Sequence, residues 1–360
     1  MANKVERTFR HMARLAAHLG REDEAWGSEP HHLEFSPNNL CNLRCLMCEH
    51  NRGIPPVRMT EEETIRVLDA ILPAAGQVTP SALSEPMLAG IELFTEKCTE
   101  HDCWLNIITN GTLLSPERLE LIAPRLFQVK FSCETHVRDT FARLRVNADY
   151  ERTMENLRYA ARRTEELDIP FSVVTILMRP VLDQLLDFVG FLHRLGVRRL
   201  DVLHFLDNSP GGEELRVDGV VPREELLALR RRLVEETGRL GMDLRLDMPL
   251  PLGGFFIRSP RPVRGTLREI AGHFHTTLQV EHPLFCHHIA AYLRVEPDGG
   301  VYPCCRAPRE LRLGNILEEE LPAIWNGGKA RELRRSFFTG RLLPPCRACS
   351  SRPGAGPLTA

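Results

Sequence analysis

Eleven cysteines in 360 residues are the side chains here best suited to chemistry, at positions 41, 45, 48, 98, 103, 133, 286, 304, 305, 346 and 349. Cys41, Cys45 and Cys48 stand in CNLRCLMC (41–48) with the spacing C-x3-C-x2-C. Three thiolates on one short loop converge on a metal ion or an iron–sulfur cluster. A zinc site with His50 as fourth ligand is one reading, although zinc favours paired C-x2-C or Cys/His knuckles. A [4Fe–4S] cluster held by three cysteines is the other, and it leaves one iron open to a substrate or cofactor. A second group closes the chain: Cys286, then Cys304-Cys305, then Cys346 and Cys349 as C-x2-C. Five thiols suffice for one fully ligated four-iron cluster or for a Zn(Cys)4 ribbon. An odd count without a secretion signal speaks for metal binding or catalysis rather than disulfides.

The elements that must hold these loops are legible in the pattern. The chain is 43% hydrophobic and 26% charged, which excludes disorder over its whole length. A net charge of −2 offers no global basic field for nucleic acid. No run approaches a membrane span, and the charged N-terminus reads as an amphipathic helix rather than a signal, so a cytoplasmic protein is expected. HLEFS (32–36), QVTPSA (77–82), WLNIIT (104–109), FQVKFS (127–132), PFSVVTILM (170–178) and RLDVLHF (199–205) read as strands. Helices are expected at 60–72, 86–101, 115–124, 150–167 and 185–195. Six β/α repeats predict an α/β fold with a parallel sheet, as an open sheet or a partial barrel. The expected divisions are an N-terminal helix and linker (1–30), the β/α core (31–205) and a middle segment (206–282). A cysteine-rich region (283–352) and a flexible tail (353–360) complete the chain. In the cysteine-rich region Asp298-Gly299-Gly300 predicts a β-hairpin bringing Tyr302 and Cys304 back beside its first strand.

Cys41, Cys45 and Cys48, after a strand and ahead of β/α units, resemble the radical S-adenosylmethionine (SAM) superfamily. That resemblance implies a partial (β/α)6 barrel whose triad binds a [4Fe–4S] cluster that chelates SAM. It implies that Met47 packs near the adenine. Ser84 and Glu85, in SALSEP, resemble the element that receives the SAM amino group, although its glycines are here Ala and Ser. Asn110 stands in a T-N-G turn, Ser132 and Glu134 where relatives have S-x-D, and Arg145 where an arginine pairs with the SAM carboxylate. The adenine contact from the sixth strand is expected near Leu203–Phe205. The C-terminal region resembles SPASM, or its shorter twitch form. The hairpin, Gly314–Ile316, Ile324–Asn326 and the terminal C-x2-C follow in order. One auxiliary [4Fe–4S] cluster is then implied, with Cys286, Cys346, Cys349 and either Cys304 or Cys305 as ligands. The resemblance favours Cys304 and puts Cys305 where some relatives carry an acidic base.

The implied activity is reductive cleavage of SAM and hydrogen abstraction from a substrate C–H bond. Net oxidation assisted by the auxiliary cluster is the leading outcome, with a reductase or flavodoxin-type protein as electron donor. The substrate is a small natural product of carbohydrate or aminocyclitol type, or a peptide. Fewer than about 35 residues precede the first strand, too few for a separate peptide-recognition domain. That favours a small molecule, or recognition through residues 206–280. An epimerase with Cys133 as hydrogen-atom donor is one alternative, and a zinc-stabilised binding protein is another. Cys98 and Cys103 read as buried core thiols, and His287-His288 as a solvent-facing pair or a tuner of cluster potential.

Overall fold

In the computed structural model, residues 13–15, 17–48, 55–81, 84–205, 212–247, 255–258 and 286–349 are described. The strands are β1 (His32–Phe35), β2 (Gln77–Thr79), β3 (Trp104–Thr109), β4 (Leu126–Ser132), β5 (Phe171–Leu177), β6 (Arg199–His204), β7 (Asp243–Asp247), β8 (Phe255–Arg258), β9 (Tyr292–Val295), β10 (Gly300–Tyr302) and β11 (Gly314–Asn315). Each of the first six falls within a segment expected to be a strand, or overruns it by one residue.

The helices between them start where local chemistry supplies caps. Thr60 opens the helix Glu61–Ile71 with a reciprocal capping box: its Oγ1 accepts the Glu63 N–H at 3.1 Å, and Glu63 Oε2 accepts the Thr60 N–H at 2.8 Å. Ser115 and Asp149 cap Pro116–Ile122 and Tyr150–Glu166 in the same sense. Met154, Leu157, Ala160 and Ala161 form the buried stripe of the last helix, at the spacing of one helical face.

Two expectations are corrected. The single helix over 86–101 is broken into a 3-10 turn, Pro86–Leu88, and a helix, Ile91–Glu100. Gly90 separates them at φ +80°, a left-handed conformation that lets the chain change direction without a Cβ penalty. A helix at Arg138–Leu144, burying Phe141 and Leu144, was not expected, because seven residues are too few to show a period.

The chain divides into two compact units, with β3 running from one into the other. The first unit comprises residues up to 40, 56–106 and the C-terminal region. Its strands run in the order β11-β10-β9-β1-β2-β3. β1 pairs in parallel with both β2 and β9, so Glu34 stands opposite Thr79 on one side and Arg294 on the other. The expected hairpin is β9–β10, with Tyr302 opposite Arg294. The second unit comprises residues 41–55 and 107–264, with β4-β5-β6-β7 paired in parallel and β8 antiparallel to β7. The middle segment thus supplies the helix Arg223–Arg239 and a further parallel strand, β7.

Within the first unit the Trp-Asn pair of the C-terminal region holds the segment before β1. Asn326 Oδ1 accepts the Trp26 N–H at 2.8 Å and its Nδ2 donates to Trp26 O at 2.9 Å. Trp325 Nε1 donates to Ser28 O at 2.6 Å. Arg334, 1% exposed, sits in the corner formed by the two indoles, which are inclined at 68°, 4.0 Å from the Trp26 ring and 4.4 Å from the Trp325 ring. Its Nη1 donates to Glu24 O and Nη2 to Trp325 O. Burial of this guanidinium lowers its pKa to about 9, so the two indoles and the carbonyls are what keep it in place. Arg334→Leu is expected to remove about 2–4 kcal/mol of stability by stranding those carbonyls. Chemical denaturation of the holoprotein reads the loss, and an unchanged midpoint would assign this contact no role.

Candidate functional site

The first cysteine loop leaves β1 and belongs to the second unit. It has no regular structure, and backbone bonds fix its course: Arg44 N–H donates to Val146 O at 3.0 Å and Leu46 N–H to Leu144 O at 2.9 Å. Leu43 is buried beneath it. Cys41, Cys45 and Cys48 are all half-buried. Asn110 at the end of β3 donates from Nδ2 to Cys41 Sγ at 3.7 Å and to Asn42 Oδ1 at 3.0 Å. Asn42 in turn donates to Thr112 Oγ1 at 2.8 Å. The turn needs Gly111, at φ +79°, where a Cβ would fall 1.9 Å from Phe131 Cζ. Asn110 therefore buttresses the cysteine loop from beside a sulfur.

Leu46 and Met47 pack on an apolar cluster of Leu144, Met178, Val181, Phe205 and Leu215. Met47 and Phe205, both expected near an adenine, thus share one apolar wall. Ser132 closes β4, half-buried, opposite Val174.

Glu134 and Arg145 hold each other. Arg145 Nε donates to Glu134 Oε2 at 2.5 Å and Nη2 to Oε1 at 2.7 Å, with both side chains at most 5% exposed. Each is the other's nearest satisfaction in a buried site. Burial pushes the Cys45 thiol up to about 12, with Arg145 opposing. Cys133 is fully enclosed, its Sγ donating to Thr135 O at 3.4 Å, and burial likewise pushes it to about 12. It presents no surface to a substrate.

In the first unit, Ser84 and Glu85 sit in a turn built by Ser81, whose Oγ accepts the Ser84 N–H at 3.3 Å and donates to Ser84 O at 2.5 Å. A hydroxyl thus closes the turn in which relatives place glycine. Glu85 is buried, and its Oε1 accepts the Met87 N–H at 3.3 Å. Ala82 and Leu83 lie outside the described residues, as do Glu49 and His50.

The second cysteine group is also in the first unit. Burial pushes Cys346 to about 12, and the charges acting on it next are those of Cys304, Cys286 and Cys349. Cys304 is pushed to about 11 by burial, then by Cys286 and Cys349. For Cys305, the charge acting first after burial is instead that of Glu34. His288 is half-buried with its ring edge-on to Tyr292 at 5.3 Å, and burial lowers its pKa to about 4.

Residues 35–192 match the radical SAM superfamily, and residues 286–350 the iron–sulfur cluster-binding domain SPASM. The chain carries a radical SAM domain followed by a SPASM domain. It is 24% identical over 320 residues to the PqqA peptide cyclase of Methylorubrum populi, covering 87% of this chain and 75% of that protein. It is 24% identical over 345 residues to the GTP 3′,8-cyclase of Rhodococcus opacus, covering 90% and 91%. Its fold is similar to that of native anSMEcpe with bound AdoMet and Cp18Cys peptide: TM-score 0.60, 17% identity, 89% of this chain and 86% of that one. The fold is accordingly the partial (β/α)6 barrel of radical SAM enzymes with a C-terminal SPASM region. SAM, a [4Fe–4S] cluster and auxiliary iron–sulfur chemistry are its cofactors.

The donor geometry fits such clusters. Around a tetrahedral zinc, sulfurs at about 2.3 Å from the metal lie about 3.8 Å apart. Among the described residues, the only three potential ligands with all donor atoms within 4.8 Å are Asp69, Glu100 and His101. Among the described residues neither cysteine group is that tight. The Asp69 group is a surface network already neutralised by Lys97 at 2.8 Å.

One residue of this region was missed. Glu34 lies on β1, 8% exposed, and its Oε2 has no hydrogen-bond partner. The signal was a carboxylate between two apolar residues of a strand. Burial raises its pKa from 4.5 to about 8, with Arg294 opposing.

Two outcomes follow. Arg145→Met should cost about 3–5 kcal/mol by leaving Glu134 buried and unpaired, and Glu134→Gln in the same chain should recover part of it. Urea titration of the three variants measures the coupling, and strict additivity would deny it. Between pH 4.5 and about 8 the folded state keeps a proton on Glu34 that the unfolded chain loses. Its stabilising contribution is therefore complete below pH 4.5 and is lost as pH rises through about 8, at no more than about 1.4 kcal/mol per pH unit. A stability–pH profile for Glu34→Gln should lack that component, and identical profiles would remove the assignment.

Proposed function

We propose that the chain is a radical SAM enzyme that oxidises a C–H position of a peptide or small-molecule substrate. The observation that carries the reading is the cysteine loop at the end of β1, three half-buried thiols spaced for a cluster and met by the Asn110 amide. When bound, SAM and the clusters supply a 5′-deoxyadenosyl radical that takes a hydrogen atom from the substrate and an acceptor for the remaining electron.

The chain's own residues bind, orient and exclude water. Cys41, Cys45 and Cys48 would hold the first cluster, and Asn110 would place a donor against one of its sulfurs, which tunes cluster potential. Met47 and Phe205 offer an apolar wall to the adenine. Ser84, Glu85 and Ser132 stand at strand ends, where α/β proteins bind ligands. The Glu134–Arg145 pair positions the segment that holds the loop. Cys286, Cys304, Cys346 and Cys349 would hold the auxiliary cluster; Cys304 is half-buried and acts on Cys346 where Cys305 is exposed, although Cys286 feels Cys305 as well. Oxidation is preferred to epimerisation because Cys133 is enclosed. The PqqA peptide cyclase and the peptide-bound anSMEcpe favour a peptide, while the GTP 3′,8-cyclase keeps a small molecule as the second reading. The electron donor would be a reductase or flavodoxin-type protein. Among the described residues no helix is long and apolar enough to cross a membrane, and a cytoplasmic enzyme is proposed.

Anaerobically purified protein should be brown and hold about eight irons, four per cluster. With SAM and a strong reductant it should form 5′-deoxyadenosine. Cys45→Ala should lose that product and about four irons, and Cys98→Ala, in the buried face of a helix, should keep both. Cys304→Ala should lose about four irons where Cys305→Ala does not. Colourless protein with stoichiometric zinc would sink the reading.

A further inference from the structure

Glu34 is the buried carboxylate that the reading above does not use. Leu33 and Phe35 face the helices, Phe35 lying 5.7 Å from the Phe94 ring, so alternation turns Glu34 to the opposite face of β1. His32 shares that face, its Nε2 2.9 Å from Thr79 Oγ1. Arg294, directly across on β9, does not satisfy Glu34. Its Nη1 donates to Cys305 O at 2.6 Å, and its Nη2 donates to Ala307 O at 3.0 Å and pairs with Glu296 at 2.9 Å. Its guanidinium also covers the Tyr302 ring at 4.7 Å. Arg294 Nε and Glu34 Oε2 are both left without a partner. Among the described residues the carboxylate thus has neighbours but no donor.

A buried, unpaired carboxylate is costly, and native proteins keep such a group where a ligand completes it. Glu296 already takes the charge of the Arg294 guanidinium at 2.9 Å, so Glu34 has no cation of its own with which to ionise. A cation brought against Glu34 would favour its carboxylate form. We infer that Glu34 is a substrate-contact residue that receives an ammonium group of the substrate, with Arg294 Nε free to donate to a neighbouring carbonyl or hydroxyl. The inference rests on the radical SAM reading and names the substrate class: a molecule with a primary amine. A peptide lysine and an amino sugar share that chemistry.

Two measurements on SAM-loaded holoprotein test it. The first is thermal unfolding of Glu34→Leu. If the carboxylate serves binding, its removal leaves the midpoint unchanged or higher. A fall of more than about 5 °C would make it a structural group and overturn the inference. The second is calorimetric titration with Nα-acetyl-lysine methylamide and glucosamine, each beside its uncharged counterpart, acetyl-norleucine methylamide and glucose. At least one ammonium probe should bind about tenfold or more tighter than its counterpart, a difference of about 1.4 kcal/mol. Glu34→Gln should erase that preference. Preference for the lysine derivative names a peptide source, and for glucosamine a sugar. No preference in the wild type, or one that survives Glu34→Gln, would overturn the inference. Iron content and 5′-deoxyadenosine formation by the wild type read the parent proposal separately.

Discussion

A loop of eight residues carrying three cysteines cannot hold its own shape, and the second unit supplies that shape through one buried ion pair. Glu134 lies just past the end of β4, and its bidentate bond to Arg145 fixes the chain at residues 144–146. The carbonyls of Leu144 and Val146 then accept the amides of Leu46 and Arg44. Strand end, ion pair and cysteine loop form a chain of dependence in which the middle member is the most expensive to break. Because both charges are almost fully enclosed, neither can turn to solvent when the other is lost. The same enclosure explains why the two residues bond each other in this structure rather than standing ready for separate ligands.

The first unit shows the opposite use of a buried cation. Among the described residues Arg334 has no carboxylate partner, and it is held by two indoles set edge to face and by backbone carbonyls. The Trp-Asn pair that marks SPASM in the sequence thereby becomes a fastener for the segment leading into β1. β9 lying parallel beside β1 extends the connection, since the strand that leads to the first cysteine loop is flanked by a strand from the cysteine-rich region. Glu34 and Arg294 meet across that pairing. Their unsatisfied atoms mark a place where, among the described residues, folding alone leaves polar chemistry incomplete on both sides of one strand pairing.

What could be read without coordinates was whatever depends on near neighbours in the chain. The C-x3-C-x2-C spacing, the C-terminal C-x2-C and the Asp-Gly-Gly turn each lie within a few residues, where spacing limits what the backbone can do. Cofactor class and the strand–helix alternation were legible for that reason. The break at Gly90 and the helix 138–144 were not, since one glycine and seven residues carry too little periodic signal.

Only the tertiary structure decided which groups are satisfied and by whom. Nothing local says that Arg145 will choose Glu134, that Cys133 will be sealed, or that Asn110 will reach Cys41. Nothing local places Arg294 opposite Glu34 and yet leaves that carboxylate without a donor. These outcomes depend on which strands lie side by side and on how much water each side chain keeps. Residues distant in sequence share those quantities, so neither spacing nor composition along the chain encodes them.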